Sequence, residues 1–244
     1  MRQSELKHKV ELFVTNGKLE EAQDVLAKIG YGPAQLDDLA AKLRTWNEYH
    51  HNAKTLDREK RKAAKAEVEA RAASGAVATR FKRTGRRVFK GNIPVLTELG
   101  LYPPLWRRIG NGTTNDQTEP DQTNESRRRK SGPSKSTAAV LDRRRLLFGK
   151  GQDLTEEDQA RLAERGWPVE EIREGAALIE AHAQADIIHT QKEQAHAAAV
   201  SAASAAAAEL KKLYLEARGY AKDAIAELPP KKRARLEKLL GLND

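Results

Sequence analysis

The longest uninterrupted helical pattern in the chain lies in its second half. No proline occurs between Val169 and Leu228, and apolar or small residues recur every three or four positions, with Gln194 as the polar exception. This spacing places one face of an α-helix against a partner, and the alanine run 202–208 has the highest helix propensity. We predict one continuous helix, about 90 Å long at 1.5 Å per residue. The alternative is a hairpin that turns near Ser201–Ser204, although that stretch has no turn residue. The positions are Ile172, Ala176, Ile179, Ala183, Ile187, Thr190, Ala197, Val200, Ala203, Ala207, Leu210, Leu213, Ala217, Ala221, Ala224 and Leu228.

A parallel pattern runs through the first half of the chain, from Leu36 to Val88. Gly75 interrupts it and indicates a kink or a close helix contact. The polar stretch 57–62 is the other place where the chain could turn. The positions are Leu36, Leu39, Leu43, Trp46, Ala53, Leu56, Ala63, Ala66, Ala70, Ala73, Val77, Phe81, Thr84 and Val88.

The two halves resemble each other when the sequence is shifted by 136 residues. The segment 26–31, LAKIGY, then falls on 162–167, LAERGW, and Leu36 and Leu43 fall on Ile172 and Ile179. Near the end of each half the offset becomes 141, where 99–101 and 240–242 both read LGL. A fixed self-similarity of this kind predicts one structural unit present twice.

Each predicted unit has the same order of elements. A short helix is stopped by a glycine that can adopt the left-handed conformation of a helix C-terminus, an aromatic residue follows, and a proline begins the long helix. Gly30, Tyr31 and Pro33 do this in the first half, and Gly166, Trp167 and Pro168 in the second. Short glycine-stopped helices at 93–99 and 231–240 close the units.

We therefore predict an all-α, internally duplicated, elongated helical bundle with long, antiparallel, coiled-coil-like helices and short capping helices. Residues 1–102 form the first repeat, 103–150 a polar flexible linker, and 151–244 the second repeat. The linker prediction rests on the stretch 110–137, which has almost no apolar residues and cannot bury enough surface to order itself.

Charge distinguishes the two halves. Of the formal charge of +9, residues 54–90 alone carry thirteen basic and four acidic residues, whereas 151–228 carry eight basic and fifteen acidic ones. Two interpretations follow: the halves neutralise each other, or residues 54–90 form a basic face for nucleic acid or another polyanion. The candidate nucleic-acid-binding residues are Arg80, Lys82, Arg83, Arg86, Arg87 and Lys90, with Phe81 and Phe89 interleaved.

Metal and enzyme chemistry have weaker support. Glu48 with His51 and Glu193 with His196 match the Glu-x-x-His pattern of di-iron bundles, but the 136-residue offset does not superimpose them. No serine lies in a glycine-flanked elbow near a histidine, and no phosphate-binding loop is present. We expect no catalytic residue, no metal ligand and no cofactor. The run 229–235, PPKKRAR, resembles a nuclear-import signal, but its prolines also begin the last predicted helix.

The leading hypothesis is a non-enzymatic structural or protein-interaction module, with a protein partner or self-association. The alternatives are a nucleic-acid or polyanion-binding protein and a carboxylate–histidine metal-binding bundle. The absence of cysteine, of an apolar run long enough to cross a membrane and of a secretory leader pattern favours a cytoplasmic location without membrane contact.

Overall fold

The computed structural model describes residues 3–102 and 136–242, and these residues form helices and no strands. The predicted all-α class is confirmed. The α-helices are α1 (Gln3–Gly17), α2 (Glu20–Leu26), α3 (Pro33–Val88), α4 (Ile93–Glu98), α5 (Thr137–Gln152), α6 (Glu156–Ala163), α7 (Val169–Ala226) and α8 (Pro230–Leu239), and a 3₁₀ turn, Ala27–Ile29, extends α2. In this part of the chain, no helix is both long enough and apolar enough to cross a membrane.

The glycine stops lie where the sequence predicts them. Gly30 and Gly166 have φ of 76° and 79°, the left-handed region in which a side chain would be strained. Gly100 and Gly241, after α4 and α8, both have φ of 65°. Each glycine therefore ends a short helix and redirects the chain into the next segment.

Both long helices are continuous. The 56-residue helix α3 passes through the polar stretch 57–62 and through Gly75, and the 58-residue helix α7 passes through Ser201–Ser204. The alternative hairpins at these places are wrong, because neither stretch contains the proline or glycine-rich turn that would release the chain from a helix.

The described residues pack as two compact units: unit 1, Met1–Lys62 with Thr190–Asp244, and unit 2, Ala63–His189. In unit 1, α3 and α7 run antiparallel, since Lys42 pairs with Glu209 at 2.7 Å and Glu59 with Lys192 at 2.7 Å. Helix α1 contacts both of them. Phe13 meets the ring of Tyr214 edge-on at 5.9 Å, and Gly17 lies against Leu36.

Unit 2 has the same internal plan. The parts of α3 and α7 within it run antiparallel, as the pairs Arg80–Glu171 (2.9 Å) and Glu67–His189 (3.0 Å) show. Helix α5 contacts both parts through Phe148, whose ring stacks on Phe81 with centroids 4.9 Å apart and lies against Gly175. Trp167 completes this aromatic cluster at 4.8 Å from Phe81.

Part of the segment predicted as a flexible linker is helical. Helix α5 begins after Ser136, whose hydroxyl accepts a hydrogen bond from the amide of Ala139, and it buries Leu141, Leu147 and Phe148. The apolar residues near its end outweigh the polar composition before it. Residues 103–135 of the predicted linker lie outside the described part of the chain.

The compact units cut across the predicted repeats. Each unit combines residues from both halves: unit 1 has the start of the first half and the end of the second, and unit 2 has the remainder. This division describes packing and does not test whether the halves are copies. The duplication and its boundaries stay predictions.

Candidate functional site

The six candidate nucleic-acid-binding residues lie on unit 2, at the end of α3 and in the turn that follows. In the structure, two of them are engaged or half-buried and the other four are exposed. Arg80 is engaged: its guanidinium binds Glu171 at 2.9 Å and lies 4.5 Å from the ring centre of Trp167. Lys82 is half-buried. Arg83, Arg86, Arg87 and Lys90 are exposed, and none of them forms an ion pair with a described carboxylate.

We call these four exposed residues the basic face. Arg83, Arg86 and Arg87 follow the i, i+3, i+4 spacing that places side chains on one side of a helix, and Lys90 follows in the turn after α3. Between Glu69 and Glu98 the chain contains seven basic residues and no acidic one. The local sequence thus offers the basic face no counter-ion.

Helix stability explains only part of this cluster. Arg86 and Arg87 lie in the last turn of α3, where positive charge is favoured by about 0.3–1 kcal/mol by the helix dipole. Like charges at i, i+3 and i+4 oppose this by about 0.2–0.5 kcal/mol per pair. Arg83 lies outside the last turn of α3, so the helix dipole does not account for its position near two other arginines.

The two interleaved aromatic residues belong to the core. Phe81 and Phe89 are 0% and 1% exposed, and Phe81 stacks between Phe148 and Trp167. Neither ring can stack on a nucleic-acid base. This surface therefore presents positive charge to a ligand. Positive charge favours contacts with phosphates, which do not distinguish one base sequence from another.

A shallow depression extends the basic face towards α6. It has a volume of about 480 Å³ and is lined by Thr84, Arg87, Val88, Arg161, Glu164 and Arg165. Arg161 is bound to Glu157 at 3.2 Å, whereas Arg165 is exposed and forms no ion pair with a described residue. Arg165 was not among the residues singled out in the sequence, because it belongs to the acidic half.

A second cluster, which the sequence did not indicate, is buried inside unit 2. Ser74 is 0% exposed and His182 is 1% exposed. The Ser74 hydroxyl lies 3.2 Å from His182 Nδ1 and accepts a hydrogen bond of 2.6 Å from Arg144 Nη1. We call Ser74, Arg144 and His182 the polar layer. It joins α3, α5 and α7.

Charged residues surround the polar layer. Glu67, only 6% exposed, accepts hydrogen bonds from Arg71 and lies 3.0 Å from His189 Nδ1. Burial lowers the pKa of His182, and the nearby Arg144 and Arg71 lower it further. Burial also lowers the pKa of Arg144, again with help from Arg71. The environment therefore favours a neutral His182.

The polar layer is suited to packing rather than to nucleophilic catalysis. The Ser74 hydroxyl also donates to the Arg71 carbonyl at 3.1 Å within its own helix. A nucleophile must reach a substrate carbonyl or phosphorus, but Ser74 is sealed on all sides. The pair would be found in sequence only by placing Ser74 opposite His182 on two antiparallel helices.

The candidate metal ligands are dispersed. Glu48, His51 and Glu193 are exposed, while His196 lies 3.3 Å from Lys60 and 3.8 Å from Asp57. Residues 3–102 and 136–242 contain no group of three or more histidine, aspartate or glutamate side chains that could hold a metal ion.

The basic run 229–235 lies at the start of α8 in unit 1. Pro229 is its N-cap and Pro230 its first residue. Arg233 pairs with Glu237 at 3.4 Å and Arg235 with Glu21 at 3.0 Å. The prolines thus have the helix-starting role that their positions predict.

Comparison of the chain with protein-family models, with curated proteins and with solved structures finds no significant match in any of the three.

Proposed function

We propose that the chain is a non-enzymatic helical binding protein and that its basic face binds nucleic acid without sequence specificity. One observation carries the proposal: Arg83, Arg86, Arg87 and Lys90 are exposed together and lack a described counter-ion. When clustered, unpaired cations contact phosphates, they displace the counter-ions that are condensed on the nucleic acid. The release of these ions provides most of the affinity of non-specific binding.

The contrast with Arg80 supports this proposal. If the basic segment served only to neutralise the acidic helix α7, its cations would bind α7 carboxylates as Arg80 binds Glu171. The basic face does not do so, and Arg165 adds a further cation beside Arg87. Since Phe81 and Phe89 are buried, single strands gain no base stacking, and we expect them to bind with a shallower salt dependence than duplex, about 0.7 against about 0.9 per phosphate contact.

The test is fluorescence anisotropy of a labelled 30-base-pair DNA duplex, titrated with the full chain at several NaCl concentrations. We expect the logarithm of the binding constant to fall linearly with the logarithm of salt. Replacing all four residues of the basic face by Gln should reduce the slope by about 3–4, since each phosphate contact contributes about 0.9.

The matched control removes the same charge elsewhere. Lys28, Lys65, Lys211 and Lys212 are exposed and lie outside the segment 83–90, and Lys65 pairs with Glu69 at 3.8 Å. Their fourfold Gln variant loses four positive charges and so has the same net charge as the test variant. It should retain most of the slope. Equal loss in both variants, or no binding at low salt, would overturn the proposal.

We also propose that the two halves are copies of one ancestral unit, as the sequence predicts. Two structural details support this. The glycine stops Gly30 and Gly166 share one backbone conformation. In addition, a Cβ at Gly17 would meet Leu36, and a Cβ at Gly151 would meet Phe81 first and then Ile172; Leu36 and Ile172 are themselves related by the 136-residue offset. Coiled-coil-like packing and a cytoplasmic location stay proposals on sequence grounds.

A further inference from the structure

A groove on unit 1 lies next to the N-terminal end of α1. It has a volume of about 490 Å³, and its two walls are one face of α3 and one face of α7. The lining residues are Gln3, His50, Ala53, Lys54, Asp57, Arg58, Arg61, His196, Val200, Ala203 and Ser204. All of them belong to unit 1.

The groove lies between the same two helices that hold α1. Gly17, at the end of α1, contacts Leu36 near the start of α3, and Gln3, at the other end, lines the groove beside Ala53. Helix α1 therefore covers the α3–α7 pair up to Ala53, and the groove continues beyond it. In this unit the α3–α7 pair already packs against one helix, because apolar residues of α1 share a core with residues of both long helices.

The floor of the groove is apolar. Ala53 and Ala203 form its base, and the side chain of Val200 is 42% exposed. The small alanines let another backbone approach closely. Val200 and the two alanines together give the groove an apolar lining that an apolar stripe of a ligand could cover.

The rim of the groove is basic. Lys54 and Arg58 are exposed and form no ion pair with a described carboxylate. The one acidic residue of the lining, Asp57, is already bound by Arg61 at 2.8 Å and Lys60 at 3.4 Å. Burial alone would raise the pKa of Asp57, but Lys60 and Arg61 lower it below its ordinary value. The free charge of the rim is thus positive.

We infer that this groove binds an acidic amphipathic α-helix of a partner protein. The apolar stripe of the helix would cover Ala53, Val200 and Ala203, and its carboxylates would pair with Lys54 and Arg58. Helix-in-groove recognition uses anchors at i, i+3, i+4 and i+7. From His50 to Arg61 the wall spans about 17 Å at 1.5 Å per residue, which corresponds to about three turns of a bound helix.

The absence of cysteine makes the groove easy to label. A Ser204→Cys variant carries an environment-sensitive fluorophore inside the groove, and Ser201→Cys carries the same label on the same helix but outside the lining. The probe is a capped 18-residue peptide with leucine at i, i+4, i+7 and i+11 and glutamate on the opposite face.

We expect the peptide to change the fluorescence at Cys-labelled position 204 with micromolar affinity and to leave the label at position 201 nearly unchanged. Lys54→Gln combined with Arg58→Gln should weaken binding at least tenfold. Lys28→Gln combined with Lys211→Gln, which removes equal charge elsewhere, should weaken it less than twofold.

Three results would overturn the inference. A scrambled peptide of the same charge could bind as well, which would show that charge alone acts. A short DNA duplex could displace the peptide and bind position 204 more tightly, which would assign the groove to nucleic acid. The unliganded chain could dimerise with a dependence on Lys54 and Arg58, which would make a second copy the occupant. None of these results depends on the basic face of unit 2.

Discussion

Units 1 and 2 each pack a shorter helix, α1 or α5, on antiparallel parts of α3 and α7. They differ in the buried residues at the positions that correspond to the polar layer. The 136-residue offset pairs Trp46 with His182 and Leu210 with Ser74. The paired glycines Gly17 and Gly151 align α1 with α5 at an offset of 134, which pairs Val10 with Arg144. Under the proposed duplication, unit 1 has three buried apolar residues at the positions that correspond to the polar layer of unit 2. They are Val10 (0% exposed), Trp46 (2%) and Leu210 (0%).

Under the proposed duplication, this difference means that the same helical plan closes its core in two ways. Unit 1 fills these positions with volume, chiefly the indole of Trp46. Unit 2 fills them with hydrogen bonds that require exact partners, because a buried polar group without a partner is costly. The bonding of the layer is incomplete, because His182 Nε2 is buried and has no partner among the described residues. Buried polar contacts can nevertheless fix the register of helices, and such a device is useful where alanine-rich helices could slide past each other.

A second difference concerns the sizes of two side chains that face each other where a short helix, α1 or α5, packs on a long helix. Unit 1 has Leu39 and Val14 at positions where unit 2 has Gly175 and Phe148 under the same offsets. All four are buried. A Cβ at Gly175 would clash with the Phe148 ring. In unit 1 the larger residue, Leu39, is on the long helix and the smaller one, Val14, is on α1. In unit 2 the long helix has the small residue, Gly175, and α5 has the large one, Phe148.

The largest expected effect on stability comes from giving unit 2 the side chains that unit 1 has at these two positions. Gly175→Leu, which copies unit 1, should destabilise the protein by about 3 kcal/mol, because overpacking a filled core forces side chains and backbone to move. Adding Phe148→Val should restore about 2 kcal/mol of that loss. Urea unfolding monitored by circular dichroism measures both variants.

The double variant decides whether the comparison of the units is correct. If Gly175→Leu and Phe148→Val each destabilise and their effects simply add, the two positions do not share one space as Leu39 and Val14 are expected to. Gly175→Ala is a milder test of the same clash if Gly175→Leu does not fold.

The next effect concerns the polar layer. Ser74→Ala removes the acceptor of Arg144 and the partner of His182, and we expect a loss of about 1–3 kcal/mol, the cost of leaving buried polar groups unpaired. The exposed Ser201→Ala in α7 should change stability by less than 0.5 kcal/mol, roughly the size of most surface substitutions. A neutral Ser74→Ala would show that the layer contributes nothing.

Replacing all three residues of the polar layer tests whether the loss in Ser74→Ala comes from unpaired polar groups. The triple variant Arg144→Val, His182→Trp and Ser74→Leu copies unit 1, and it should be more stable than Ser74→Ala alone, because it removes the charged and hydrogen-bonding groups together and leaves only an indole N–H without a partner, as Trp46 Nε1 already is among the described residues. Thermal unfolding of the three proteins side by side measures the order. A triple variant less stable than Ser74→Ala would mean that unit 2 cannot adopt the packing of unit 1.

A smaller effect is pH dependence, which unit 1 lacks at the corresponding positions because Trp46 does not titrate. The pKa of His182 is lowered in the folded state by burial and then by Arg144 and Arg71, so the unfolded chain binds a proton more readily. The stabilisation is complete above the unfolded pKa of about 6.5 and is lost as the pH falls below it.

We therefore expect the urea midpoint to fall between pH 7.5 and pH 5.5, and His182→Asn to reduce this fall. His51→Asn, an exposed position, controls for the loss of a histidine as such. An unchanged fall in His182→Asn would place the titrating group elsewhere.

The regular parts of the fold could be predicted from the sequence. Apolar spacing and the lack of proline specify α7, and the glycine–aromatic–proline order specifies the ends of α2 and α6, because these are local rules of the backbone. Helix α5 was missed since its polar start resembles the segment before it, and the three apolar residues that anchor it gain their meaning only from contacts with α3 and α7.

The sites were harder to predict for the same reason. The sequence indicates that residues 54–90 are basic, but it cannot tell which of them meet a carboxylate of α7, so Arg80 and Arg83 look alike. The polar layer joins Ser74, Arg144 and His182 across 108 residues. Only the antiparallel register brings them together, and a one-turn slip would separate them.

The smallest expected effect lies at the surface, where the units carry opposite charges beside their aromatic residues. In unit 2, Arg80 stacks over Trp167 and binds Glu171. The 136-residue offset places Glu216 and Tyr31 at these positions in unit 1. Burial raises the pKa of Tyr31, and Glu216 raises it further. A carboxylate also lacks the attraction that a cation has for the face of an aromatic ring.

Arg80→Ala should cost about 1 kcal/mol, the sum of an exposed cation–π contact and a surface ion pair. Glu216→Ala should change stability by less than about 0.5 kcal/mol, since it loses neither. Thermal unfolding at 50 mM and 500 mM NaCl separates the contributions: salt weakens the ion pair, so the cost of Arg80→Ala should shrink at high salt without vanishing. Equal costs for the two variants would mean that the aromatic–charge contact of unit 2 adds nothing to the shared scaffold.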